Sequence, residues 1–259
     1  MILSRRVSFC GEQLDEIHEA VVIRSADPGV PGEDIQAANR MGGWGQRMTG
    51  QHWTVLNATV AFAIDVSKRD MALRREIFDA VIAWANRTGW LQFSTIPGRR
   101  LYVDKVVIPG AGDMWEWTNE YTITFRAYNV PFWESETAAT SVLASTASGT
   151  ASIEVGGTAP GVLDMSLRNM SGATINNVTI WLNGKSMALT GVNLASSEVL
   201  TVTHPHESGG LLRIYAGSRN VYAIRTGIDD LTVKPGNNLF GLTATRAGQL
   251  TATSYARWL

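Results

Sequence analysis

A single cysteine, Cys10, stands in 259 residues. No disulfide can form within the chain, and the fold must hold by packing. Charge is scarce as well: 17% of residues are charged and the formal net charge is −1. That balance argues against nucleic acid or anionic lipid as a bulk partner. With 45% hydrophobic residues the chain has enough apolar material for a core, which excludes a disordered polymer. No apolar run approaches the ~18 residues of a membrane span. Met1-Ile-Leu-Ser-Arg-Arg lacks the apolar stretch of a signal peptide. The sequons at Asn57, Asn86, Asn169 and Asn177 therefore have no expected route to glycosylation, and folding in a cytoplasm is expected. GxSxG, HExxH and P-loop signatures are all absent.

The residues that could carry chemistry are few and scattered. His204-Pro-His206 is the one close histidine pair. With Pro205 between them and only Glu207 at hand as a third ligand, the segment reads as a surface turn rather than a metal site. Cys10 has no CxxC partner, falls in a predicted strand and reads as a buried, inert thiol. The acidic pairs Asp15/Glu16, Glu33/Asp34, Glu116/Glu120 and Asp229/Asp230 sit in turn-like, solvated contexts rather than across a cleft. No catalytic, cofactor-binding or metal-binding residue is expected.

What is present is β-forming pattern and one helix. Thr59-Val-Ala-Phe-Ala-Ile-Asp alternates, which predicts a strand with Val60, Phe62 and Ile64 inside and a wet face of Thr, Ala and Asp. Asp70 to about Arg87 carries Leu73, Ile77, Val81 and Trp84 on one helical stripe. Arg74, Arg75, Glu76 and Asp79 fall on the other side, Asp70 is the expected cap and Gly89 the expected stop. Tyr121, Ile123, Phe125 and Ala127 alternate on a later strand. Between the first strands and Trp53, residues 27 to 52 are rich in glycine and carry two prolines, so a long loop is expected there. A loop of that length is ordinarily ordered by something else, and Trp44, Arg47 and Met48 within it are candidates for contact with a neighbour.

Composition shifts at Ser135. Residues 1–134 read as one domain, 135–150 as a Ser/Thr/Ala-rich linker or first polar strand, and 151–259 as a second domain. The second half has no helical period, and turn signals recur at Asn183-Gly184, Ser208-Gly-Gly, Ala216-Gly-Ser, Pro235-Gly-Asn-Asn and Ala247-Gly. That is the pattern of a β-sandwich, and Asn183-Gly184 is a strong hairpin signal. Trp181, Tyr215 and Tyr222 could form an aromatic platform for a ligand, although core filling is the plainer reading. Trp115 and Trp117, two apart, could anchor an interface. Arg99 and Arg100 follow a Pro-Gly turn and could pair with a neighbouring subunit.

The order of these features resembles a known family. An opening strand pair leads to a Gly-rich loop ending Arg47-Met-Thr-Gly, and then to the strand at Thr59. The helix ends Ile82-Ala-Trp-Ala-Asn and is followed by Gly89-Trp-Leu-Gln-Phe. Ile96-Pro-Gly-Arg-Arg-Leu-Tyr-Val leads to a hairpin, and Tyr121-Thr-Ile-Thr-Phe-Arg-Ala-Tyr-Asn-Val-Pro-Phe-Trp closes the domain. Gly157-Thr-Ala-Pro, Leu167-Arg-Asn, Asp230-Leu-Thr-Val-Lys-Pro-Gly-Asn-Asn and Tyr255-Ala-Arg-Trp-Leu mark the second half. The chain resembles the distal tail (Dit) proteins of siphophages. The resemblance implies a mainly β protein: a tail-tube-like split barrel or sandwich with one flanking helix, then a galectin-like or carbohydrate-module-like jelly-roll sandwich. It implies a homohexameric ring at the virion tail tip, assembled in the host cytoplasm. That ring would join the tail-tube protein to the hub or tail-associated protein, with receptor-binding or other baseplate proteins at its rim and DNA only passing through the lumen. The stop at Trp258-Leu259 leaves no room for the extra receptor-binding modules of some relatives, so a connector is expected. The rival readings are a carbohydrate-binding module acting in host attachment, which needs exposed aromatics in a concave patch, and a hydrolase, which needs converging carboxylates.

Overall fold

The computed structural model describes residues 5–39, 46–67, 70–108, 120–228 and 231–259, with the backbone alone at 37–39 and 46–51. The chain is mainly β and divides into two compact units, Met1–Trp133 with Leu259, and Glu134–Trp258.

The first unit contains β1 (Val7–Phe9), β2 (Glu12–Gln13), β3 (Val21–Asp27), β4 (Pro31–Asn39), β5 (Gln46–Ile64), α1 (Met71–Ala85), β6 (Gly89–Phe93), β7 (Arg99–Val103), β8 (Lys105–Val107) and β9 (Glu120–Ala127). One sheet runs β3-β5-β9-β8, with β4 also on β5, and a second set runs β7-β6-β1-β2. Alternation in β5 buries Val60, Phe62 and Ile64, and alternation in β9 buries Tyr121, Ile123, Phe125 and Ala127. The expected wet face of β5 is only partly wet. Ala61 and Ala63 are buried too, and Thr59 is half-buried, because β3 and β9 flank this stretch on both edges.

The helix forms where its stripe predicts, with Asp70 Oδ1 accepting the Leu73 N–H at 3.1 Å. Its buried face is rotated from the expected one. Arg74, Ile77, Phe78, Val81, Trp84 and Ala85 are buried, and Leu73 is only half-buried. Arg74, expected in solvent, has no exposed surface. It lies within hydrogen-bond reach of Tyr121, whose ring also meets that of Phe78 at a tilt, 4.9 Å between centres. A polar partner on the sheet makes burial of a guanidinium tolerable, a fact no periodicity can reveal. The helix ends at Asn86 rather than through Gly89. Gly89 instead opens β6 at φ +152°, where a Cβ would stand 2.7 Å from Cys10 Sγ. Cys10 itself is in the turn after β1, not in a strand, at φ +53° and half-buried.

The second unit contains β10 (its share of Trp133–Val155), β11 (Gly161–Val162), β12 (Asp164–Asn169), β13 (Ile175–Leu182), β14 (Lys185–Leu194), β15 (Val199–Thr203), β16 (Arg213–Ala216), β17 (Arg219–Asn220), β18 (Arg225–Gly227), β19 (Thr232–Val233) and β20 (Gly236–Trp258). The Ser/Thr/Ala-rich stretch 135–150 lies within β10, and its Ala139 and Leu143 pack on this unit's core. Asn183 and Gly184, at φ 51° and 82°, close the tight β13–β14 hairpin that the dipeptide predicts. Ala247-Gly248, read as a turn, is not one. β20 runs straight through it, pairing with β13 over 240–244 and with β12 over 248–253. At Gly248 the neighbouring strand comes close: a Cβ would meet Leu167 Cδ1 at 2.6 Å and Arg168 O at 3.2 Å, so a larger residue would make Leu167 shift. One strand thus serves both halves of a core built from Ile180, Leu189, Phe240, Leu167, Leu200 and Leu250.

Residues 134–258 hold their own core and strand pairings, so a fragment starting at Glu134 should fold alone. Its melting should be a single cooperative transition by circular dichroism. A fragment without such a transition would mean that this core needs the first unit.

Candidate functional site

The residue range expected to be a loop is for the most part a ribbon. β4 pairs with the first part of β5 from Glu33↔Trp53 to Asn39↔Gln46. Among the described residues, Gln46–Trp53 have no other strand partner, since β3 and β9 join β5 only from Leu56 onward. Glycine and proline permit this geometry rather than forbid it. Gly29 adopts φ +61°, and a Cβ there would stand 2.0 Å from Asn57 O. Gly32 lets Thr54 approach closely. The base of the ribbon is fixed by Trp53 edge-on to Phe132 at 6.2 Å and by Trp133 Nε1 donating to Pro28 O at 3.1 Å. Farther out, His52 and Asp34 face one another at 3.3 Å, and Ile35 is 55% exposed. An isolated two-stranded ribbon is marginal in water and gains stability against another surface.

Arg47 and Met48 stand on this ribbon opposite Ala38 and Ala37 in the register, with their side chains outside the description. Trp44, Trp115, Trp117, Glu116 and Asp229/Asp230 lie outside the described residues. Arg99 and Arg100 open β7. The Arg100 guanidinium sits 4.0 Å over the Trp90 ring, which in turn meets Tyr102 edge-on at 5.1 Å. The turn arginine is therefore stacked within its own unit.

Of the expected aromatic platform, Tyr215 and Tyr222 line one groove with Leu211, Arg213 and Asn220, a volume of about 650 Å³. Trp181 is exposed on β13 and does not line it.

The histidine pair is not a surface turn. His204 is buried, and both its N–H and its Nδ1 lie 2.9 Å from Asp164 Oδ1. His206 Nε2 is 3.0 Å from Glu134 Oε2, and Arg257 Nε donates to Glu134 Oε1 at 2.6 Å. Burial alone would raise the Glu134 carboxyl. The His206 hydrogen bond and the Arg257 and His206 charges outweigh it and hold the group below its ordinary range. Of this cluster only His206 stands out in the sequence, as half of the histidine pair; Glu134 and Arg257 lie 123 residues apart and carry no local signal. Among the described residues no three His, Cys, Asp or Glu side chains converge as a metal-ligand set. Among the same residues no helix is long and apolar enough to cross a membrane.

No protein-family model matches the chain, and no curated protein matches it by sequence. Solved structures do. The chain is similar to the Dit protein (gp 19.1) of phage SPP1, described as a paradigm of the hub adsorption apparatus in phages that infect Gram-positive bacteria. The identity is 15% and the TM-score 0.67, over 98% of this chain and 99% of that one. The phage P2 baseplate in its activated conformation with Ca aligns at 8% identity and TM-score 0.46, over 97% of this chain and 98% of that one. The chain therefore has the fold of a phage hub protein, and in particular that of a Dit protein, along nearly its whole length.

Proposed function

We propose that the chain is a structural protein of the phage tail tip that assembles as a six-fold ring between the tail tube and the hub or baseplate. The ring leaves a channel through which DNA passes. The observation that carries this reading is whole-length likeness to a Dit protein of a hub adsorption apparatus. The ribbon supplies the physical means. A strand pair that, among the described residues, has no further strand partner outward of Trp53 and bears exposed Ile35 is suited to a heterologous contact with the next copy, and such a contact makes a ring when its rotation closes. Arg47 and Met48 on that ribbon, the β7 arginines Arg99 and Arg100, and Trp44, Trp115 and Trp117 are the candidate contact residues. The net charge of −1 suits a conduit that must not hold DNA. The role is structural rather than catalytic. Its partners are further copies of itself, the tail-tube protein, the hub protein, and receptor-binding or other baseplate proteins at the rim.

Negative-stain images of the purified chain, or of assembled tails, should show a six-fold layer. Ile35→Glu should leave the melting temperature within a few degrees while weakening assembly by about tenfold or more. A chain that stays monomeric in the assembled tail would sink the reading. Unaltered assembly of Ile35→Glu would remove the ribbon from the contact.

A further inference from the structure

The groove of the second unit has a chemistry of its own. Arg213 and Tyr215 are two apart on β16 and so share a side of the strand. The β16–β17 hairpin sets Asn220 opposite Tyr215. Asn220 Oδ1 accepts the Tyr222 N–H at 3.0 Å, and Tyr222 lines the same groove. Arg225 then fixes that ring from one side, 4.6 Å over its centre, and donates to its hydroxyl at 3.3 Å. Tyr222 remains 41% exposed, and Leu211 is 69% exposed. Among the described residues the Arg213 guanidinium and the Asn220 Nδ2 have no partner and no carboxylate lines the groove.

We propose that this groove binds an acidic saccharide, with Tyr222 and Tyr215 as the stacking surface and Arg213 as the anchor for its negative charge. A sugar ring has an apolar C–H face that lies against an aromatic ring, and hydroxyls at its rim that pair with an amide such as Asn220. A carboxylate or phosphate on the ring fits the two-pronged guanidinium. The volume of about 650 Å³ is in the range of small-ligand sites. A protein strand is the poorer fit. The outer edge of β16 is already taken by β17 and by Val221, whose N–H donates to Ile214 O at 3.0 Å, and the strand that ends the sheet there, Arg219–Asn220, is only two residues long, too short a ladder for strand addition. This assignment does not rest on the ring reading.

The test is calorimetric titration of the full chain with galacturonate and glucuronate oligomers, with a neutral galactose oligomer of equal length, and with inorganic phosphate. The acidic oligomers should saturate with a dissociation constant below about 1 mM, and the neutral oligomer should bind about tenfold more weakly. Arg213→Gln should abolish that difference, and Tyr222→Ala should weaken all sugar binding by about tenfold or more. Tyr222→Phe, which keeps the ring, should retain most of it. Unchanged melting temperature and unchanged ring formation by these variants would separate loss of the site from loss of fold or assembly. Absence of saturable binding by every oligomer overturns the proposal. So does binding indifferent to both Arg213→Gln and Tyr222→Ala, or phosphate binding as tightly as the oligomers. Protection of Tyr222 by a neighbouring tail protein, without any sugar binding, would assign the groove to protein instead.

Discussion

Trp84→Ala should lower the stability of the first unit by about 3–5 kcal/mol, the range for removing a large aromatic from a packed core. Trp84 is 4% exposed and meets Phe9 edge-on at 5.8 Å and Phe125 at 6.1 Å, while Phe9 and Phe125 lie 5.2 Å apart. Helix, first strand and β9 are thus joined at one aromatic cluster. The indole Nε1 also donates to Glu12 O at 3.1 Å, so the variant leaves a backbone acceptor to find water. Set against a typical domain stability of ~5–15 kcal/mol, the loss is large enough to prevent formation of the proposed ring without altering any contact surface. Arg75→Ala on the exposed side loses its i,i+4 pair with Asp79 at 3.1 Å, a solvent-exposed pair of the kind worth about 0.3–0.5 kcal/mol, and should cost far less than Trp84→Ala. Thermal melts of the two variants check the pair. A Trp84→Ala protein as stable as its parent would refute the packing argument. An Arg75→Ala protein that melts normally yet fails to assemble would place the helix's outer side in a subunit contact.

Glu134→Ala should destabilise the second unit by about 3–5 kcal/mol, because it strands the Arg257 guanidinium, only 8% exposed, without its carboxylate. In a unit of this size that corresponds to roughly 10–20 °C in melting temperature. Replacing both partners, as in Glu134→Leu with Arg257→Met, should recover most of the loss, since a buried pair exchanged for apolar groups is often neutral. The same carboxylate sets an acid limit. Its pKa in the folded unit lies below the ordinary 4.5 of an unfolded chain, so its contribution is full above about that pH. The contribution disappears as pH falls through the folded value. The parent should therefore lose stability on acidification below about pH 4.5, and Glu134→Gln should show a shallower loss over that interval. Equal acid slopes for the two proteins would mean that other groups govern acid unfolding.

Sequence pattern reached most of the first unit because its signals are local. Alternation in Thr59–Asp65 and Tyr121–Tyr128 fixed which side chains point inward, and the helix with its Asp70 cap was plain. Its facing was less so. Positions 74, 78, 81 and 85 form as good a helical stripe as 73, 77, 81 and 84, and only the presence of Tyr121 across the gap decides that Arg74 turns in. The ribbon was hidden because glycine and proline, which usually interrupt strands, here serve close backbone approaches such as Gly29 on Asn57. The groove was half visible. Tyr215 and Tyr222 stand out in the sequence as aromatics, but nothing local marks Leu211 and Arg213, whose exposure depends on how the hairpin after β16 folds back. Of the Glu134–His206–Arg257 cluster only His206 is marked in the sequence, because pairing across such separations carries no periodic signature.

The continuous course of β20 has a consequence for how the second unit is made. The strand that completes both halves of its core comes last in chain order, and its partners β12 and β13 lie some sixty or more residues upstream. During synthesis the earlier strands must wait with open edges until β20 has emerged, so the unit can close only after its own translation is nearly finished. Such distant pairing is slow to form, and unpaired strands held in waiting are where misassembly begins. The polar, Ser/Thr/Ala-rich composition of β10, which sits beside β20 in the sheet order, keeps one of those waiting edges soluble.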